Sequence, residues 1–188
     1  MIFCRIKQDN EKRLDYLGEE DMVDKGMSML KKEKLYGQEY YTKFREKLKS
    51  ALEDGKVFFN QNTEFKYDKY GFVYRGIERE NNTIDNITIK DFLSYAELGK
   101  NSSGKNIKIR GIQAKNEEDI GYYSCSLYNN KKSLEIAMNL PRKNRFIIKG
   151  HINDKDGARL INSKSHHVDL WVYKDAKIYE SFEVEDNE

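Results

Sequence analysis

The sequence predicts an α+β domain: a helical N-terminal prefix over residues 1–56 packed on a mostly antiparallel β core over 57–188, together one compact domain. Two observations predict it. Apolar residues recur at helical spacing as far as Asp54, whereas from Val57 onward they fall in short runs rich in Val, Ile, Phe and Tyr. Helices first and strands after is the α+β order, and 188 residues are enough to bury a real core. The 13 Tyr, 9 Phe and one Trp supply material for it in a chain that is 35% charged, because disorder goes with few aromatics.

Residues 10–35 are charged, with sparse apolar positions at Leu14, Leu17, Met22, Met27 and Leu30, and Gly18 and Gly26 divide them into short helices. A single helix is expected over 39–54, where Tyr40, Phe44, Leu48, Ala51 and Leu52 share one face and Gly55 provides the stop. Residues 57–59 are a short apolar burst. Residues 72–77 read as the first strand, 81–86 as a turn, 91–98 as a short helix, and 107–110 as a strand. Residues 121–127 are extended, Asn129 and Asn130 open a helix over 133–140, and Pro141 ends it. Strands over 145–151, 158–161, 167–173 and 177–184 complete the chain, and the acidic tail from Glu185 is expected to fray.

The charge balance, 34 Lys and Arg against 32 Asp and Glu, gives no general drive toward nucleic acid. The densest basic stretch, Lys31, Lys32 and Lys34 around Glu33, reads as a solvated helix face. Cys4 and Cys125 make no disulfide framework, and no CxxC pair suggests zinc. The first residues lack a basic region followed by an apolar one, and no apolar run approaches the ~18 residues that span a bilayer. A cytoplasmic protein is expected, with export lacking a cleaved signal as the alternative.

Three segments carry chemistry in an order that matters. Val73-Tyr74-Arg75-Gly76 places an arginine after an aromatic on a strand; Ser124-Cys125-Ser126 follows about 50 residues later, before a helix; His167-Val168-Asp169 opens a late strand running into Leu170, Trp171 and Val172. In order and spacing these resemble the three signature elements of the Arg–Ser–Glu class of ADP-ribosyltransferases, of bacterial-toxin type, over residues 57–184. Phe146 to Ile152 resembles that family's edge strand, and Asp156-Gly157-Ala158 the turn after it. The resemblance implies NAD as substrate, with Arg75 on its phosphates, Tyr74, Ser124 and Ser126 organising the pocket, and Asp169 stabilising the cation that develops as nicotinamide leaves. His167 takes the place of the family's first glutamate and is suited to orienting or deprotonating an acceptor. A literal Glu-x-Glu stands at Glu183-Val184-Glu185, so Glu185 is the alternative carboxylate. A toxin or effector that modifies a protein or nucleic acid, or hydrolyses NAD, is what the resemblance suggests.

Other readings stay open. A non-enzymatic interaction or immunity-type domain would use the tyrosines at 40–41, 67–74 and 122–128 as a surface for a protein partner. A thiol hydrolase would pair Cys125 with His166 or His167 and Asp169, in the Cys-then-His order of papain-like enzymes. A metal nuclease would gather His151, His166, His167 and Asp169, although adjacent histidines on a strand face opposite ways.

Overall fold

The computed structural model describes residues 38–67, 71–80, 83–84, 86–98 and 117–185. The chain divides into two compact units, Met1–Tyr41 and Thr42–Glu188. Of the first, only a one-turn helix, α1 (Gln38–Tyr41), is described. Residues 42–56, read from the sequence as part of the helical prefix, fall in the second unit with the strands. The helices expected over 10–35, the strand at 107–110, the basic stretch at 31–34 and Cys4 lie outside the described residues.

The one helix expected over 39–54 is two. Phe44 leaves helical geometry to form a β-bridge with Tyr173, and its ring sits 5.2 Å from those of Phe59 and Tyr173. Burying an aromatic at 1% exposure outweighs continuing a helix. Helix α2 (Glu46–Glu53) then buries Leu48, Ala51 and Leu52. Gly55, at φ 67°, ends it: the Gly55 N–H reaches Leu52 O at 3.1 Å and the Lys56 N–H reaches Ala51 O at 2.9 Å, a Schellman closure that needs the left-handed residue.

The strands are β1 (Val73–Glu78), β2 (Cys125–Tyr128), β3 (Arg145–Gly150), β4 (Gly157–Asn162), β5 (His167–Val172) and β6 (Phe182–Val184). Local turn chemistry shortens what the sequence suggests. Asp119 accepts from the Gly121 N–H at 2.8 Å and starts a 3-10 turn over Ile120–Tyr123, so the extended segment begins only at Cys125. The stretch 91–98 is a 3-10 turn (Ile89–Phe92) and a separate helix α3 (Tyr95–Leu98), before which Ser94 and Glu97 cap each other. Helix α4 (Lys131–Met138) is capped by Asn130, whose Oδ1 accepts from the Ser133 N–H at 2.9 Å, and ends on left-handed Asn139 before Pro141 is reached. A 3-10 turn over Ile178–Ser181 replaces the first half of the expected last strand.

All strand pairs are antiparallel, in the order β4-β5-β2-β1-β3-β6. The ladder is uneven. β1 pairs with β3 from Val73 opposite Gly150 to Glu78 opposite Arg145, and β2 with β5 from Cys125 opposite Leu170 to Tyr128 opposite His167. Between β1 and β2 a single pair remains, Tyr74 opposite Tyr128. The sheet is therefore two three-stranded halves, β4-β5-β2 and β1-β3-β6, that touch at one point. Their shared face carries the core: Val73, Ile77, Leu127, Ile148, Val168 and Leu170 pack with Phe92, Ile178 and Phe182. On the other face Met138 of α4 lies where a Cβ on Gly76 would come within 1.5 Å of its sulfur, and Trp171 packs edge-on against Phe59 at 5.2 Å. Among the described residues no helix is long and apolar enough to cross a membrane.

Gly157 seats β4 against β5. A Cβ there would lie 2.3 Å from the Trp171 carbonyl oxygen, and backbone has nowhere to yield. Gly157→Ala is expected to destabilise the fold by about 1–3 kcal/mol; an unchanged urea midpoint would contradict this account of the β4–β5 contact.

Candidate functional site

Within β4-β5-β2, residues directly opposite each other share a face, and alternate residues along a strand do too. The register therefore gathers Tyr128 with His167, and Ser126 with Asp169, on the face away from the core. Ser124, one step before β2, falls on the same face as Ser126. Its hydroxyl donates to Asp169 Oδ1 at 2.5 Å and also stands 2.9 Å from Gly121 O. One proton serves two acceptors, and the charged carboxylate attracts it more strongly than the carbonyl. Ser124 is 2% exposed, so water does not compete for this contact. The second carboxylate oxygen, Oδ2, lies 3.4 Å from His167 Nδ1. Tyr128 packs edge-on against the His167 ring at 5.2 Å, and burial holds its phenol above the usual tyrosine range, with Tyr95 and Asp169 adding to the shift. Asp169 is thus a half-buried carboxylate fixed on one side by a serine and flanked on the other by an imidazole.

Arg75 lies opposite Ile148 and alternates with Val73 and Ile77, so its side chain leaves the core face, its guanidinium 6.0 Å from the centre of the Phe92 ring. Its Nε donates to the Asp91 carbonyl and its Nη1 to the Ser126 carbonyl at 2.6 Å. The Ser126 carbonyl thus finds a guanidinium at the place where the β1–β2 ladder has opened. Asp91 is itself gripped by Arg79, Nη1 to Oδ1 at 2.7 Å and Nη2 to Oδ2 at 2.9 Å. Tyr74 sits half-buried at the one junction pair. Tyr74, Ser124 and Ser126 thus share a face with His167 and Asp169, whereas Arg75, predicted to join them, reaches β2 from the opposite, core face and does not.

Glu185 does not join them. It follows β6, and three strands, β2, β1 and β3, lie between β6 and β5, a separation of roughly 19 Å at ~4.8 Å per strand. There it binds Lys149 at 2.7 Å and Lys131 at 3.0 Å. Those lysines, Lys149 first, hold its carboxyl below the usual glutamate range, and Glu185 in turn raises Lys149. No local pattern marks this cluster, because Lys131 is 54 residues from its partner.

The thiol reading fails on the alternation itself. Cys125 pairs with Leu170 on the core face, opposite to His167 and Asp169. It is fully buried, and burial pushes its thiol up, the reverse of what a nucleophile needs. A cavity of about 10 Å³, room for one water, adjoins Cys125, Arg45 and Glu97 on that face. The histidines also disperse: His151 stacks at 4.4 Å on Phe72, and His166, at φ 59°, contacts Asn129 Oδ1 at 3.1 Å. Among the described residues no group of three His, Cys, Asp or Glu could hold a metal ion.

Comparison of the chain with protein-family models, with curated proteins and with solved structures finds no match.

Two measurements check this placement. In a Cys4→Ser variant, Cys125 is expected to resist a thiol reagent in the native state and to react at once in denaturant; rapid native labelling would contradict its burial. Glu185 has a folded pKa below its ordinary 4.5, so its contribution to stability is present above that value and lost as pH falls through the depressed one. The stability gap between the wild type and Glu185→Gln, read by urea denaturation, should be steady near neutrality and close in acid. A gap that widens as pH falls would contradict the lysine pairing.

Proposed function

We propose that the β2–β5 surface binds NAD and that Asp169 promotes departure of nicotinamide, ADP-ribose passing to an acceptor or to water, on a fold of ADP-ribosyltransferase type. The observation that carries this reading is the hydrogen bond from Ser124 to Asp169, which joins the second and third chemical segments across 45 residues. The first segment reaches the same strand through Arg75 and the Ser126 carbonyl, across 51 residues. Three segments whose order resembles one family's signature become neighbours on β1, β2 and β5.

The chemistry follows from the groups. The nicotinamide–ribose bond breaks with its electron pair going to the ring nitrogen, and positive charge develops at the ribose carbon. A carboxylate already oriented on a partly dry surface stabilises that charge without reorganising. Ser124 keeps the Asp169 oxygen in place, which matters because aspartate is one methylene shorter than the glutamate of the family it resembles, and small displacements cost rate. Arg75 donates to the Asp91 and Ser126 carbonyls from the core face, so it steadies β2 behind the site and is not the phosphate ligand that the resemblance implies. Tyr74 and Ser126 border the nicotinamide. Such an activity suits a toxin or effector.

Titration of the protein with NAD, following heat and free nicotinamide together, tests the proposal. Binding with release is expected, and Asp169→Asn should keep binding while release falls by about 100-fold or more. Binding without release would favour the non-enzymatic alternative, a site kept for binding. No binding at millimolar NAD, or release indifferent to Asp169→Asn, would remove the transferase mechanism.

A further inference from the structure

We propose that the aromatic side chains beside Asp169 form a docking surface for single-stranded nucleic acid, held by stacking of its bases. The proposal concerns binding alone and does not depend on the NAD reading. Tyr74 of β1 stands opposite Tyr128 of β2 on one side and Lys149 of β3 on the other, and Tyr128 stands opposite His167 of β5. Directly paired residues share a face, so these four side chains cross four neighbouring strands in one row, away from the core. Phe72 alternates with Tyr74, one step before β1, and His151 with Lys149, one step after β3, so both continue the same face. Their rings stack at 4.4 Å, and Lys149 Nζ stands 5.6 Å from the centre of the Phe72 ring. Five rings thus lie side by side on the sheet. Phe72 is 47% exposed and the other four are half-buried, so a ligand can reach them.

Shape and chemistry select the occupant. From β3 to β5 the surface spans three strand spacings, roughly 14 Å at ~4.8 Å each, more than one heterocycle covers. Along β1, Phe72 and Tyr74 stand ~6.7 Å apart, two residues of strand rise. A run of unpaired bases can lay successive faces on such positions, whereas a duplex keeps its bases stacked on one another. Four of the five rings carry a hydroxyl or a ring nitrogen, which gives a stacked base hydrogen-bond partners at its edge; a purely apolar partner segment would leave those groups dry. Charge plays the smaller part. The chain is nearly neutral, and Lys149 is already answered by Glu185 at 2.7 Å and Glu183 at 3.6 Å. Stacking therefore carries the affinity, and binding depends less on salt than it does at a site that tracks phosphates. Asp169 alternates with His167 on β5, so a strand docked on the rings runs beside its carboxylate.

Fluorescence anisotropy with a labelled oligothymidine of about 12 nucleotides, a length within the range that single-strand sites take, tests this in the absence of NAD. The full-length wild type is expected to bind it, and an unlabelled abasic strand of equal length, which keeps the phosphates and lacks the bases, is expected not to compete. Tyr74→Ala should weaken binding by about 5- to 150-fold, the worth of one stacked base, while Tyr74→Phe, which keeps the ring, should bind like wild type. If Tyr74→Ala does not fold, Phe72→Ala, at the most exposed of the rings, is read the same way. No binding by wild type at the highest soluble concentration overturns the proposal. So does competition by the abasic strand or by a duplex as strong as that by the thymidine strand, or an affinity indifferent to loss of either ring. Failure here leaves the NAD reading standing, and failure of NAD to bind leaves this one standing.

Discussion

Where β1 and β2 part after the Tyr74–Tyr128 pair, main-chain groups lose their ladder partners at the edge of the protein core, and one guanidinium takes over part of the ladder's work. Arg75 binds the Ser126 carbonyl of β2 and the Asp91 carbonyl of the 3-10 turn that follows β1. Hydrogen bonds from a charged donor contribute about 1.5–3 kcal/mol each, so this joint is among the stronger local contacts of the sheet. Arg79 completes it by fixing the Asp91 carboxylate with two contacts. The two half-sheets are thereby held open and yet held together.

That opening decides what the surface can do. A fully paired β1–β2 ladder would engage the Ser126 carbonyl with another main chain. With the ladder split, β2 has the Arg75 guanidinium on its core side and the Asp169 carboxylate on the other. β2 and β5 stay fully paired, and a one-residue slip between them would turn Ser126 and Asp169 into the core. Cys125, Leu127, Val168 and Leu170, all at 1% exposure or less, forbid that slip. Core packing on one face therefore fixes the register, and the register fixes the polar group on the other.

Much of this was legible in the sequence, and the illegible parts have physical reasons. Strand positions followed from β-branched and aromatic runs, and the Asn130 cap from its place before an amphipathic segment. Alternation alone places Ser124 and Ser126 on one face and Cys125 on the other, so the thiol reading was answerable from period two. The break at Phe44 was not, because its bridge partner, Tyr173, is far away in sequence. The choice between Asp169 and Glu185 turns on strand order, and strand order is non-local. Glu185 sits behind β6 with Lys131 and Lys149, and no neighbouring residue announces it. The gap between β1 and β2 is equally silent locally, although a glycine directly after Arg75 marks a close approach, filled here by Met138.

The account stands or falls on whether NAD meets the Asp169 face. Backbone NMR of the full chain during an NAD titration addresses this directly. The account predicts shifts that cluster at Arg75, at Ser124 to Tyr128 and at His167 to Asp169, with the Lys131–Lys149–Glu185 cluster unmoved. Shifts confined to that lysine cluster or to the α4 surface, or a spectrum unchanged at millimolar NAD, would contradict it.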